Sequence, residues 1–164
     1  MFKSAVITIS DSSSQGKRVD ESGQIICGIL KESGFHMELY KIVPDRVDEI
    51  RNTLMDAKKK RIDLIITTGG TGLTPGDVTP EATEPLLQRK IPGIMEAIRA
   101  KGMDDTPMAM LSRGLAGVSD GCLIINLPGS PSAVRTGMDC ILPVLDHALK
   151  KIKGDPTPCH KAQP

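Results

Sequence analysis

Three short runs of Ile, Val and Leu constrain the fold of this chain more than any other feature: Ala5 to Ile9, Asp63 to Thr67 with Leu64, Ile65 and Ile66 inside it, and Cys122 to Leu127. Their hydrophobicity is continuous rather than alternating, so each needs cover on both faces. A parallel sheet between layers of helix supplies that cover. The intervening segments have the pattern of those helices. Glu21 to Lys31 sets Ile25, Ile26, Ile29 and Leu30 at helical spacing, Gly34 stops it, His36 to Val43 reads as a strand, and Val47 to Lys60 reads as a second helix. This β-α-β-α-β order is that of a layered α/β domain. With 164 residues in the chain, one hydrophobic core is expected, over residues 1–153, followed by a loose tail over 154–164.

Beyond Thr67 the chain loosens into a Gly-Pro-rich stretch from Gly69 to Pro80. A helix is expected to open there, with Thr79 as its N-cap, Pro80 at the first helical position and Glu81 in the first turn. Ile94, Met95 and Ile98 mark a helix after Pro92, and Met108 to Ala116 with Gly121 to Leu127 reads as a hairpin. The last helix runs from about Pro131 to Lys151 on Val134, Met138, Ile141, Leu142, Leu145 and Leu149. Pro143 falls inside it and predicts a kink or a break.

Charge and composition exclude several partners. Lys and Arg number 21 against 20 Asp and Glu, a net charge of +1 that leaves no basic excess for a phosphate backbone. Phe2, Phe35 and Tyr40 are the only aromatics, too few for a base-stacking platform. Nucleic acid is not an expected partner, and neither is a membrane, since no apolar stretch approaches the roughly 18 residues a spanning helix needs. The cysteines show no C-x-x-C spacing and Met1 to Ser4 leads at once into a strand-like run, so a reduced, cytoplasmic protein is expected.

Chemistry concentrates in Thr67-Thr68-Gly69-Gly70-Thr71-Gly72-Leu73-Thr74-Pro75-Gly76-Asp77-Val78-Thr79-Pro80. Glycines directly after a buried strand let backbone N–H groups approach an anion, and Gly70 is expected where a β-carbon is excluded. The loop lacks the Gly-Lys-Ser/Thr of a nucleotide P-loop and the spacing of a dinucleotide fingerprint. Asp77 stands in it either as a carboxylate for a divalent cation that bridges to ligand phosphates or as the cap of a turn. A second strand-turn-helix follows at Asn126-Leu127-Pro128-Gly129-Ser130-Pro131, with Ser130 as N-cap. Asp11 follows the first strand and Asp45 the second, where Asp45 could equally cap the next helix. In an open α/β sheet all these strand ends could meet on one rim. His36, His147 and His160 form no triad or zinc pattern.

Thr8 to Asp11, Val43 to Asp45, Thr67 to Thr83, Leu111-Ser112-Arg113 and Asn126 to Pro131, in this order and spacing, resemble the molybdopterin adenylyltransferase family of molybdenum-cofactor biosynthesis, related to the gephyrin G domain. The resemblance implies a three-layer α/β sandwich with a largely parallel central sheet, usually a homotrimer. It implies Mg2+-dependent transfer of AMP from ATP to the terminal phosphate of molybdopterin, with release of pyrophosphate and handover to a metal-insertion protein. Carried over by motif, Asp77 and Asp45 are the two essential acids, Asp77 holding Mg2+ and Asp45 assisting. Gly69, Gly70, Thr71 and Gly72 cradle phosphates with Asp11 nearby, and Ser112, Asn126, Pro128, Gly129 and Ser130 belong to the pterin side. Gly76 stands where transferase members often carry arginine, so a molybdopterin-binding paralogue without efficient transfer is the alternative. A nucleotide pyrophosphatase resembling a domain of competence-associated proteins is a third reading.

Overall fold

The computed structural model describes residues 1–158. The three apolar runs become β1 (Lys3–Ile9), β3 (Leu64–Thr68) and β6 (Cys122–Leu127), adjacent at the centre of a six-stranded sheet of order β2-β1-β3-β6-β5-β4. The first four strands in that order are parallel; β5 (Ala116–Ser119) is antiparallel to β6, and β4 (Arg89–Lys90) at the edge is antiparallel to β5, so β5 alone runs against the others. Every residue of β3 and β6 is buried, because each face has its own layer of helix. Val6, Leu64, Ile66, Leu123 and Ile125 pack on the side of α2 (Glu21–Glu32), α5 (Pro92–Gly102) and α6 (Pro131–Ile152). Ala5, Ile7, Ile65 and Ile124 point the other way, toward α3 (Val47–Lys59) and α4 (Thr79–Thr83). The expected three-layer sandwich with a largely parallel sheet is therefore present. By contrast β2 (His36–Val43) pairs only with β1 and alternates between exposed and half-buried residues along most of its length.

Four local expectations are corrected. Met108 to Leu111 is not strand: a 3-10 helix spans Pro107–Leu111, opened by Thr106, whose hydroxyl accepts from the Met108 N–H. Pro107 fits the first turn of a helix and has no N–H to give a ladder. The hairpin is shorter than expected, Ala116–Ser119 against Cys122–Leu127. It turns at Asp120 and Gly121 with φ of 48° and 79°, the left-handed pair that a tight two-residue connection requires. Thr79 is the first residue of α4 rather than its cap, and its hydroxyl instead donates to the Gly69 carbonyl (2.8 Å). Finally, α6 runs through Pro143 without a break. The short α1 (Asp11–Ser14) and the edge strand β4 carry no periodic signal and were not expected. Of the expected loose tail, residues 159–164 lie outside the described residues.

The exposed Pro143 leaves the Asp139 carbonyl without its helical donor, and the long apolar stripe of α6 against the sheet overrides the local cost. Pro143→Ala restores that donor. It is expected to raise stability by about 1 to 3 kcal/mol, the range between a tolerated and an unadapted interior proline, read from a denaturant melt.

Candidate active site

Because β2, β1, β3 and β6 are parallel, their carboxyl ends open on one edge of the sheet. Asp11 and Asp45 meet there and exchange bonds: the Asp11 N–H donates to Asp45 Oδ2 (2.9 Å) and the Asp45 N–H to Asp11 Oδ1 (3.1 Å). Asp45 is thus committed to Asp11 and is not the cap of α3, whose cap residue is Arg46. The two glycine-bearing strand ends are tied together as well. The Thr68 hydroxyl donates to the Pro128 carbonyl (2.7 Å) and the Gly69 N–H to the Leu127 carbonyl (3.2 Å).

At Gly69 φ is +98° and at Gly70 +63°, both in the region that favours glycine. A β-carbon on Gly69 would lie 2.2 Å from the Ile9 carbonyl oxygen, and one on Gly70 would lie 2.4 Å from Thr79 Oγ1 and 3.1 Å from Asp45 Oδ1. The expectation for Gly70 therefore holds, and Asp45 stands directly beside the glycine cradle.

Asp77 closes its own turn rather than capping a later one. Its N–H donates to the Thr74 carbonyl, and its Oδ2 accepts from the Thr74 N–H (2.9 Å) and hydroxyl (2.6 Å). Burial alone would raise this carboxyl. The Thr74 hydroxyl and amide, the Gly72 amide and the Arg113 charge outweigh it and hold Asp77 below the usual carboxylate range. Asp45 goes the opposite way: burial pushes it up, the charges of Asp11 and Asp77 add to that, and the Asp11 amide opposes them.

A carboxyl raised on folding favours the folded state below its unfolded pKa and loses that contribution as pH rises through its folded value. At neutral pH the ionised Asp45 is therefore a destabilising group. Asp45→Asn, which keeps an oxygen for the Asp11 N–H, is expected to melt higher than the parent at pH 7. The gain should disappear as pH falls below the carboxylate range, in melts taken across that interval.

Two hollows flank this rim and share Gly129 and Ser130 as a wall. The larger, about 550 Å³, is bordered by Gly70, Thr71, Gly72 and Asp77 on one side and by Ser112 on another, with Ile98, Met108 and Leu111 giving it a mostly apolar lining. The smaller, about 330 Å³, is lined in equal parts by polar and apolar surface, with Ser10, Ser13, Arg18, Asp20 and Gly69 beside Ile9 and Val19. Asn126 borders neither. It is fully buried, its amide donates to Thr67 and Thr83 hydroxyls, and its oxygen accepts from the Leu115 N–H, so it braces the rim from below.

Two features escaped sequence reasoning. Asp20, which caps α2, accepts from the Thr8 hydroxyl (2.5 Å), the Tyr40 hydroxyl (2.5 Å) and the Gly23 N–H (2.9 Å). The Gly23 bond is the local cap, and only the fold brings Thr8 and Tyr40 to the same carboxylate. Arg113, part of the Leu111-Ser112-Arg113 motif but with no role read for it there, reaches back across the glycine loop, a contact over about forty residues of chain.

Among the described residues no three His, Cys, Asp or Glu side chains gather as a ready-made metal cage. The donor set still fits Mg2+, which is commonly held by one or two carboxylates together with water and substrate phosphate. Asp45 beside Gly70 and Asp77 beside Gly72 are two carboxylates of that kind, near enough for the charge of one to act on the other.

An α/β domain whose parallel strands end in glycine turns, two neighbouring hollows and several acids has the open rim at which ligands of such sheets collect. More narrowly, the chain belongs to the family described as "Probable molybdopterin binding domain", which matches residues 5–147. It is 43% identical over 161 residues to a gephyrin of Dictyostelium discoideum, covering 92% of this chain but only 22% of that protein. It is 40% identical over 154 residues to a molybdopterin adenylyltransferase of Pyrococcus furiosus, covering 91% of this chain and 90% of the relative. The crystal structure of the molybdopterin biosynthesis enzyme MoaB from Thermus thermophilus superimposes with a TM-score of 0.88 at 45% identity, over 95% of this chain and 99% of that one. No helix among the described residues is long and apolar enough to cross a membrane.

Proposed function

We propose that this chain acts in molybdenum-cofactor biosynthesis as a molybdopterin adenylyltransferase. A terminal phosphate oxygen of molybdopterin attacks the α-phosphorus of ATP, the bond from that phosphorus to the bridging oxygen of the β-phosphate breaks, and pyrophosphate leaves. The observation that carries this reading is the pair of hollows meeting at Gly129 and Ser130 beside the cradle of Gly69 to Gly72. Two ligands, one on each side of that wall, would bring their phosphates together over the glycines. The larger, mostly apolar hollow suits the flat pterin, and the smaller, with polar and apolar surface in equal parts, suits a nucleoside.

In this reading the chain supplies position and charge compensation, and no side chain need form a bond to phosphorus. Backbone N–H groups of the cradle hold phosphate oxygens, while Thr71 and Ser112, whose hydroxyls lie 3.5 Å apart, fix the entry to the pterin side. Asp77 holds Mg2+ and Asp45 assists. Bound there, the cation would neutralise the polyphosphate and help align it for in-line attack. The homotrimer and handover to a metal-insertion protein go with the same proposal, the first read by light scattering as a mass three times that of the chain.

A second reading rests on Gly76, where a β-carbon would have nothing nearer than 3.9 Å, so the position has room for the cationic side chain it lacks. In that case the chain binds molybdopterin without productive transfer. Titration calorimetry with ATP and Mg2+, then with molybdopterin, followed by a pyrophosphate assay, separates the two. Pyrophosphate released only when both substrates are present supports the transferase; binding of molybdopterin with no release supports the paralogue.

A further inference from the structure

Resting on the transferase reading, we propose that Arg113 is a positioning residue for Asp77, and that it acts by clamping both ends of the loop that carries this acid. Its Nε–H donates to the Gly72 carbonyl (2.8 Å) and its Nη2 to the Asp77 carbonyl (2.6 Å), while Nη1 pairs with Glu81 in the first turn of α4. Its own backbone N–H donates to the Thr71 carbonyl (2.9 Å).

The loop from Gly69 to Thr79 is therefore crossed by two rungs. The inner rung is Thr79, whose N–H donates to the Gly70 carbonyl and whose hydroxyl donates to that of Gly69. The outer rung is the Arg113 guanidinium. Outside it, Leu73, Thr74, Pro75 and Gly76 are all exposed. The Thr74 turn orients the Asp77 carboxylate within the loop, but that turn is a free flap unless its two ends are fixed to the body of the domain. Arg113 fixes both from a single planar group. Its charge, which also acts on Asp77, is paired with Glu81, and what this side chain adds to the loop is a fixed fork of donors. A lysine has one nitrogen at the end of a flexible stem and does not reproduce the fork.

Arg113 also follows Ser112, which borders the larger hollow, so one short segment holds both the pterin wall and the loop of Asp77.

The test uses the full chain as parent, Arg113→Lys, Arg113→Gln, Asp77→Asn and the Arg113→Lys/Asp77→Asn double variant, with Glu81→Gln as a control for the ion pair. Two measurements are made: pyrophosphate release with ATP, Mg2+ and molybdopterin, and hydrogen exchange of the Thr74 amide without ligands. Arg113→Lys is expected to lower turnover tenfold or more in the parent background and less than twofold when Asp77 is already Asn. It should also speed Thr74 exchange at least tenfold, as should Arg113→Gln, whereas Glu81→Gln should change either reading less than threefold. Equal losses in both backgrounds, or Thr74 exchange unmoved by either Arg113 variant, overturn the proposal. If the parent releases no pyrophosphate, the transferase reading fails by itself, and the exchange measurement alone decides whether the clamp exists.

Discussion

Asp77→Asn is expected to lower pyrophosphate release at saturating ATP and molybdopterin by a factor of order 10² or more, about 3 kcal/mol in the barrier of the transfer step. The amide keeps the size of the side chain and an oxygen to accept from the Thr74 N–H, so the turn that Asp77 closes has what it needs. What disappears is the charge, and a neutral amide oxygen is a poorer ligand than a carboxylate for a hard dication. Because folding lowers the Asp77 pKa, its ionised form favours the folded state above the unfolded pKa, and that contribution is lost as pH falls. The variant should therefore melt slightly below the parent at neutral pH and converge with it in acid. Molybdopterin affinity, which in the proposed arrangement rests on Ser112 and the Ser130 wall, should change little. Near-normal turnover would sink the metal role, and a melt far below the parent would assign Asp77 to the turn alone.

Gly69→Ala is the second large effect, and its cause is steric. The new β-carbon would meet the Ile9 carbonyl oxygen at 2.2 Å, a backbone atom that cannot rotate away, and it would do so at a φ of +98° that L-residues rarely adopt. Strain of this kind costs about 3 kcal/mol. A loss of that size corresponds to a melting temperature lower by roughly 6 to 12 °C for a domain of this size. Nucleotide binding should weaken with it, since relief of the clash requires β1 and β3 to part at the cradle. Calorimetric melting beside ATP titration reads both. A variant with the parent's melting temperature and ATP affinity would show that the cradle does not have this backbone.

The two-sided burial of the central strands was legible in Ala5 to Ile9, Leu64 to Ile66 and Cys122 to Leu127, because a sheet covered on both faces leaves no polar alternation to hide it. The rim was legible too. Once those strands are parallel, whatever follows each of them lies on one edge, so Asp11, Asp45, Gly69 and Gly129 could converge there, and in the fold Asp11 meets Asp45 and Gly69 meets Gly129. Local signals failed where one stretch carried features of two structures. Met108 to Leu111 has apolar residues that suit a strand, and Pro107 decides for a 3-10 turn; Pro143 argues for a break, and the packing of Met138, Ile141, Leu145 and Leu149 carries α6 through it.

The hydrophobic pattern was enough to specify the sandwich, and the glycines marked the turns in which two of its central strands end. Which partner each polar group of the rim takes is settled only in the folded molecule. Asp45 bonds to Asp11 across 34 residues and Asn126 to Thr83 across 43, while Arg113 reaches Gly72 across 41. Hydrogen bonds of such span depend on the directions in which side chains leave separate elements. Those directions are set by the packing of the whole core and leave no periodicity in the chain.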